Sequence, residues 1–150
     1  MSKAVSIASI LVIATLSVFL AQPAKAEAIT LAVVERATSD AVADIGPTGD
    51  SAGDILFFAN EVFDQENVTK VGTDNGYCIR TSVGAAWECT WTNTFEGGQI
   101  TVQGSFLDVG DSVFVITGGT GVYKGASGEM LLHARDAAAS AYDFLFAIDR

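Results

Sequence analysis

Cys78 and Cys89 are the only cysteines of the chain, and His133 is its single histidine. Three readings of Cys78 stand side by side: a cavity thiol, one half of a disulfide with Cys89, or an inert core residue. A disulfide and a catalytic thiol exclude each other. Two cysteines and one histidine fall short of the N/S set that a tetrahedral zinc site requires, so no metal is expected. Arg80 shares a face with Cys78 in an extended chain, where it either reaches a ligand carboxylate near Trp87 or faces solvent. Trp87 and Trp91, four apart on a strand, lie on one face and either fill a core or wall a ligand cavity. Phe58 and Asn60 share a face in the same way. The Asn60 amide orients a ligand oxygen or satisfies a backbone group at a bend. His133 titrates in the range of a general base, but with no Asp or Ser partner identified it also reads as an ordinary strand residue. Asp50, Asp54, Asp108 and Asp111 stand among turn signals and read as turn formers, without the loop spacing of a calcium site.

The elements that position these residues are short and strand-like. Residues 77–82 and 85–95 read as a hairpin around a two-residue Val83-Gly84 loop. That register sets 82 opposite 85, 80 opposite 87 and 78 opposite 89, so the cysteines become direct partners in a hydrogen-bonded pair. On the second strand Trp87, Cys89, Trp91, Asn93 and Phe95 share one face, and Glu88, Thr90, Thr92 and Thr94 share the other. The aromatic face is expected inward. Further strands are expected at 27–35, 55–63, 68–71, 100–106, 112–117, 129–134 and 142–148, with Tyr142, Phe144, Phe146 and Ile148 on one face of the last. Residues 36–54 read as a long loop, and Asp74-Asn75-Gly76 as a turn. Eight or nine strands with turn signals about every ten residues point to an all-β sandwich or barrel. Glycines beside strands, such as Gly104, Gly121, Gly125 and Gly128, suit the bends of a closing barrel, and closure removes exposed edges.

Residues 1–26 have the layout of a secretory leader: Lys3, an apolar run from Ala4 to Leu20, and Ala24-Lys25-Ala26 before a cleavage point at Glu27. The expectation is a secreted or periplasmic protein with one domain over 27–150. Removing Lys3 and Lys25 leaves six basic against eighteen acidic side chains, a formal charge of −12. Such a field repels phosphate backbones and anionic lipid, which argues against nucleic-acid partners and, once the leader is cleaved, against a membrane surface. An oxidising compartment lets a disulfide persist.

At Gly118-Gly119-Thr120-Gly121-Val122-Tyr123-Lys124-Gly125-Ala126-Ser127-Gly128 the chain resembles the allene oxide cyclase and dirigent superfamily. The resemblance runs back through Ile100 to Gly104, Val71-Gly72, Gly76-Tyr77-Cys78 and Phe58-Ala59-Asn60 to Gly53-Asp54. It implies a single closed eight-stranded antiparallel β-barrel of calycin-like shape with an apolar cavity, assembling as dimers or trimers. It also implies a small hydrophobic ligand, cyclised or coupled stereoselectively with no cofactor. Cys78 and Asn60 fall where the cyclases have a cavity cysteine and a cavity asparagine. On the first strand one gap placement sets Ala32 and Val34 at the cyclases' glutamate and asparagine positions, and another brings Glu35 to the glutamate. Glu35, Asn60 and Cys78 are thus the catalytic candidates, and Phe58, Arg80, Trp87 and Trp91 the ligand-binding ones. Two other functions compete: a non-catalytic, lipocalin-like carrier, and a structural or interaction barrel packed solid.

Overall fold

The computed structural model describes residues 28–149, so the leader expected at 1–26 lies outside the described residues. The described chain is all-β apart from one 3-10 turn at Gly121–Tyr123. Its strands are β1 (Ala28–Arg36), β2 (Ala41–Ala43), β3 (Ile55–Phe58), β4 (Glu61–Asp64), β5 (Lys70–Ser82), β6 (Ala86–Phe95), β7 (Gly98–Leu107), β8 (Ser112–Gly119), β9 (Ser127–Ala134) and β10 (Ala141–Asp149). Every pairing is antiparallel, and the ring runs β5-β4-β1-β10-β9-β8-β7-β6 and back to β5. That is a closed eight-stranded barrel, with no unpaired edge in the ring itself.

Two strands of the wall are interrupted side by side. The stretch expected as one strand over 55–63 breaks at Ala59-Asn60 into β3 and β4. Along one side both halves pair with β5; along the other, β3 takes β2 and β4 takes β1. The region read as a loop over 36–54 therefore contains β2, which continues the line of β1 after a strap at 37–40. Asn60 keeps the ladder to β5 intact, because its N–H donates to Asp74 O and its C=O accepts from Asp74 N, both at 3.0 Å.

The turn expected at Asp74-Asn75-Gly76 does not exist: these residues lie inside the thirteen-residue β5. Turn-forming composition is overridden by packing. Gly76 stands opposite Trp91, and a Cβ there would collide with the Trp91 side chain and the Thr90 carbonyl. Glycine at 76 makes room for an indole, not for a reversal.

The β5–β6 hairpin also differs at its tip. Ser82 pairs with Ala86, leaving Val83-Gly84-Ala85 as a three-residue loop, and a bulge between Arg80 and Ser82 restores the expected 80/87 and 78/89 partners. Ala85 N–H donates to Ser82 O at 3.0 Å, and Gly84 has φ 67°, the left-handed residue that such loops need. Arg80 spends its own N–H on Asp54 O and its C=O on Gly53 N. By the two-residue parity of a strand, Cys78 therefore faces Cys89 across a non-hydrogen-bonded pair, with Cα atoms 4.0 Å apart, and the two are joined in a disulfide.

The interior is filled by inward residues from successive strands, among them Val33, Val62, Trp91, Val102, Phe114, Met130, Phe144 and Ile148. On β6 the split between aromatic and polar faces follows the alternation read from the sequence.

Candidate functional site

β1 turns Ile29, Leu31, Val33 and Glu35 inward, so an apolar strand ends by presenting a carboxyl to the lumen. Glu35 is only 5% exposed. Beside it lies the wall's double interruption, where Asn60, 2% exposed, points its amide at the strap. Asn60 Oδ1 accepts from Thr38 N (3.0 Å), Ser39 N (2.9 Å) and Ser39 Oγ (2.9 Å). Asn60 Nδ2 donates to Glu35 Oε1 and to Asp40 Oδ1, both at 2.8 Å. Asp74, 1% exposed, accepts from the Asn60 N–H through Oδ1 at 3.2 Å. The side-chain amide of Asn60 thus ties strap to first strand, while its backbone ties the same point to β5. Replacing Asn60 by Ala is expected to lower stability by about 2 kcal/mol, since most of the lost partners are at least partly shielded from water. Urea denaturation measures this, and an unchanged midpoint would show that the strap does not depend on Asn60.

The carboxyls here do not behave as surface acids. Burial, reinforced by the neighbouring charge of Asp74, raises the Glu35 carboxyl well above its ordinary value. Burial likewise pushes Asp74 up to about 7, against the Asn60 N–H that favours its ionised form. Burial and the charge of Glu35 take the Tyr142 phenol up to about 12. The site therefore favours the protonated form of Glu35, which can donate a hydrogen bond, beside a neutral phenol.

These groups head an aromatic cavity of about 40 Å³ lined by Phe58, Trp91, Phe106, Tyr142, Phe144 and the Cys78–Cys89 disulfide, among others. Trp91 meets Phe114 edge-on at 4.4 Å and Phe58 at 5.8 Å between ring centres, which fixes its plane. The arrangement can grip a flat apolar body and offer a proton or hydrogen bond to an oxygen at its edge.

The candidate residues divide. Glu35, Asn60, Phe58, Trp91 and Cys78 meet at this cavity or border it. In the disulfide Cys78 has no thiol, so it contributes a wall and not a nucleophile. Arg80 and Trp87 lie elsewhere, at the barrel end near the 44–54 segment. The solvent-facing reading of Arg80 is corrected by its 8% exposure. Its guanidinium bonds Asp50 (2.5 Å) and Asp108 (2.6 Å) and lies 4.3 Å from the Trp87 ring centre. Those two carboxylates already occupy the fork that a ligand carboxylate would need. His133 does have a partner, Asp111 Oδ1 at 2.6 Å, but both are exposed, away from the lumen.

Sequence reasoning missed Asp74 and Asp40 as members of the site. Asp74 had a signal: it lies four residues before Cys78 and so shares its face. Asp40 had none, because its place depends on the fold of the strap. Among the described residues no group of three or more His, Cys, Asp or Glu is placed to hold a metal ion.

The allene oxide cyclase family model matches residues 28–136. Among solved structures, the barrel is similar to a pyocyanin demethylase at 24% identity and TM-score 0.68, covering 79% of this chain and 100% of that one. It is also similar to an exo-specific intermolecular Diels-Alderase at 12% identity and TM-score 0.67, covering 83% and 99%. A pterocarpan synthase dirigent protein matches at 13% identity and TM-score 0.69, covering 91% and 96%. At these identities the likeness establishes a shared fold.

Proposed function

Because the chain belongs to the allene oxide cyclase family, we propose that its barrel takes up a small apolar molecule and steers its cyclisation or stereoselective coupling without a cofactor. The observation that carries this reading is a buried carboxyl, Glu35, set at the head of an aromatic cavity, where burial favours its neutral form. A neutral acid in an apolar site donates a hydrogen bond to a ligand oxygen whose negative charge grows during ring closure or coupling, and that preference lowers the barrier. The aromatic wall restricts the ligand to a reactive conformer and excludes water, which adds the entropic part of the acceleration. Asn60 acts through Glu35, fixing its rotamer while holding the strap. The Cys78–Cys89 disulfide and the leader-like start support a place of action outside the cytoplasm.

The cavity volume favours a second reading. At about 40 Å³ it falls far short of the roughly 300–1,000 Å³ of pockets that enclose drug-sized ligands. A barrel packed solid for structure or interaction would look like this, and a carrier or enzyme must first widen the cavity. Native mass spectrometry of protein taken from its own host decides between them: a co-purifying small molecule is expected, and persistent apo protein supports the packed barrel. With that molecule's reactive precursor in hand, wild-type protein is expected to alter the product or its enantiomeric ratio. Glu35→Gln should retain binding but lose about 100-fold in rate. Products unchanged by wild-type protein would leave only the carrier.

A further inference from the structure

Trp91 Nε1 and both Oδ1 and Nδ2 of Asn93 are buried without a hydrogen-bond partner among the described residues, and so is Asp74 Oδ2 except where Glu35, a side-chain hydrogen-bond partner of the Asp74 carboxyl, carries a proton to it. They are not scattered. Asp74 and Asn93 are direct cross-strand partners on β5 and β6, and Trp91 is the next inward residue of β6. Asp74 spends its own backbone N–H and C=O on Asn60. Its pair with Asn93 is therefore the narrow, non-hydrogen-bonded kind, with Cβ atoms about 4.5–5.5 Å apart. Asn93 is 0% exposed, and an amide buried without partners is unfavourable enough that natural cores rarely keep one.

Asn93 leaves one donor (Nδ2) and one acceptor (Oδ1) bare and Trp91 Nε1 adds a second donor, while Asp74 Oδ2 accepts when the carboxyl is ionised and can donate when it is protonated. A ketone or ether oxygen would satisfy the donors and leave Asn93 Oδ1 bare. An ammonium would do the reverse. An anion would lie beside a carboxyl. A neutral hydroxyl both accepts and donates, so it alone among these groups meets both halves.

We propose that Asp74, Trp91 and Asn93 form a hydroxyl-binding site in the barrel lumen, occupied by water or by the hydroxyl of a bound molecule. The site adds a second polar anchor beyond Glu35 and Asn60 and makes Asn93 a specificity-determining residue. Its ligand arm rests on the function proposed above; its water arm does not.

The test uses the full chain as purified, with phenol and toluene as probes, because they match in shape and differ in the hydroxyl. A wild-type crystal structure at high resolution is expected to show an oxygen within hydrogen-bond distance of Asn93. Phenol should bind about tenfold tighter than toluene, and Asn93→Leu should erase that ratio. Asn93→Leu is also expected to melt about 5 °C lower, because it removes partners of an occupied site. If that variant does not fold, the wild-type structure still reads the site directly. Oxygen from water, or phenol oxygen displacing it, each supports the proposal and tells the two sources apart. No oxygen at Asn93, or a leucine variant as stable as wild type with an unaltered phenol-to-toluene ratio, overturns it. If neither probe binds but the oxygen is present, the failure falls on the ligand-binding function and not on this site.

Discussion

The barrel is expected to lose stability as pH rises from 5 to 8, the reverse of ordinary acid denaturation. Asp74 has a folded-state pKa of about 7 against an ordinary 3.8. A carboxyl whose folded pKa is raised binds its proton more tightly in the native state. Its contribution is full below the unfolded value and is lost as pH climbs through the folded one. For Asp74 alone that loss is on the order of 4 kcal/mol by pH 8, and Glu35 moves in the same direction. On the acid side, Asp50, Asp54, Asp64 and Asp136 carry lowered values because hydrogen bonds favour their ionised forms, led by Arg80 on Asp50. Their stability is lost as pH falls below the ordinary aspartate range, so the optimum lies near pH 4–5. Urea midpoints from pH 4 to 8 should therefore decline, and Asp74→Asn should make the slope shallower, Glu35 carrying what remains. A flat or rising profile, or an Asp74→Asn variant with the wild-type slope, refutes this assignment.

Removing the disulfide is expected to have the next largest effect. Cys78 and Cys89 are 11 residues apart, and closing a loop of that length stabilises by about 3 kcal/mol in the chain-entropy model. The double variant Cys78→Ser/Cys89→Ser adds two hydroxyls to a buried position, so a fall in melting temperature of about 10 °C is expected. Calorimetry with and without reductant measures it. Labelling of both cysteines in unreduced protein would show that the bond does not form in solution. Since the two sulfurs line the cavity, reduction should also weaken whatever ligand the barrel holds.

Which residues face inward was largely legible in the sequence. Alternation along a strand is a local property, so Trp91 and Phe95 on β6, and Phe144 to Ile148 on β10, could be assigned from spacing alone. Local rules failed where packing decided. Asp-Asn-Gly has the composition of a turn, yet at 74–76 it continues a strand, because the glycine is needed beneath Trp91 and the aspartate beneath Asn60. The break at Ala59-Asn60 was equally hidden: Phe58, Asn60 and Val62 alternate as if the strand were continuous, and the change of partner from β2 to β1 is visible only in three dimensions. Arg80 illustrates the long-range case. Its partners Asp50 and Asp108 lie 30 and 28 residues away, in turns whose acidic residues have ample local reasons to be there. Glu35 was reachable only by choosing between two gap placements, and its burial against Asn60 was not encoded in any local pattern.

Five hydrogen bonds converge on the one Asn60 side chain, and this restricts how the chain can change by inheritance. Aspartate would keep the three bonds from Thr38 and Ser39 but place another acid against Glu35 and Asp40. Glutamine would carry the same groups one methylene too far, and a serine would be too short. None of these replacements keeps all five partners, so a change at this one position leaves Glu35, Asp40 or the rest of the strap short of a partner.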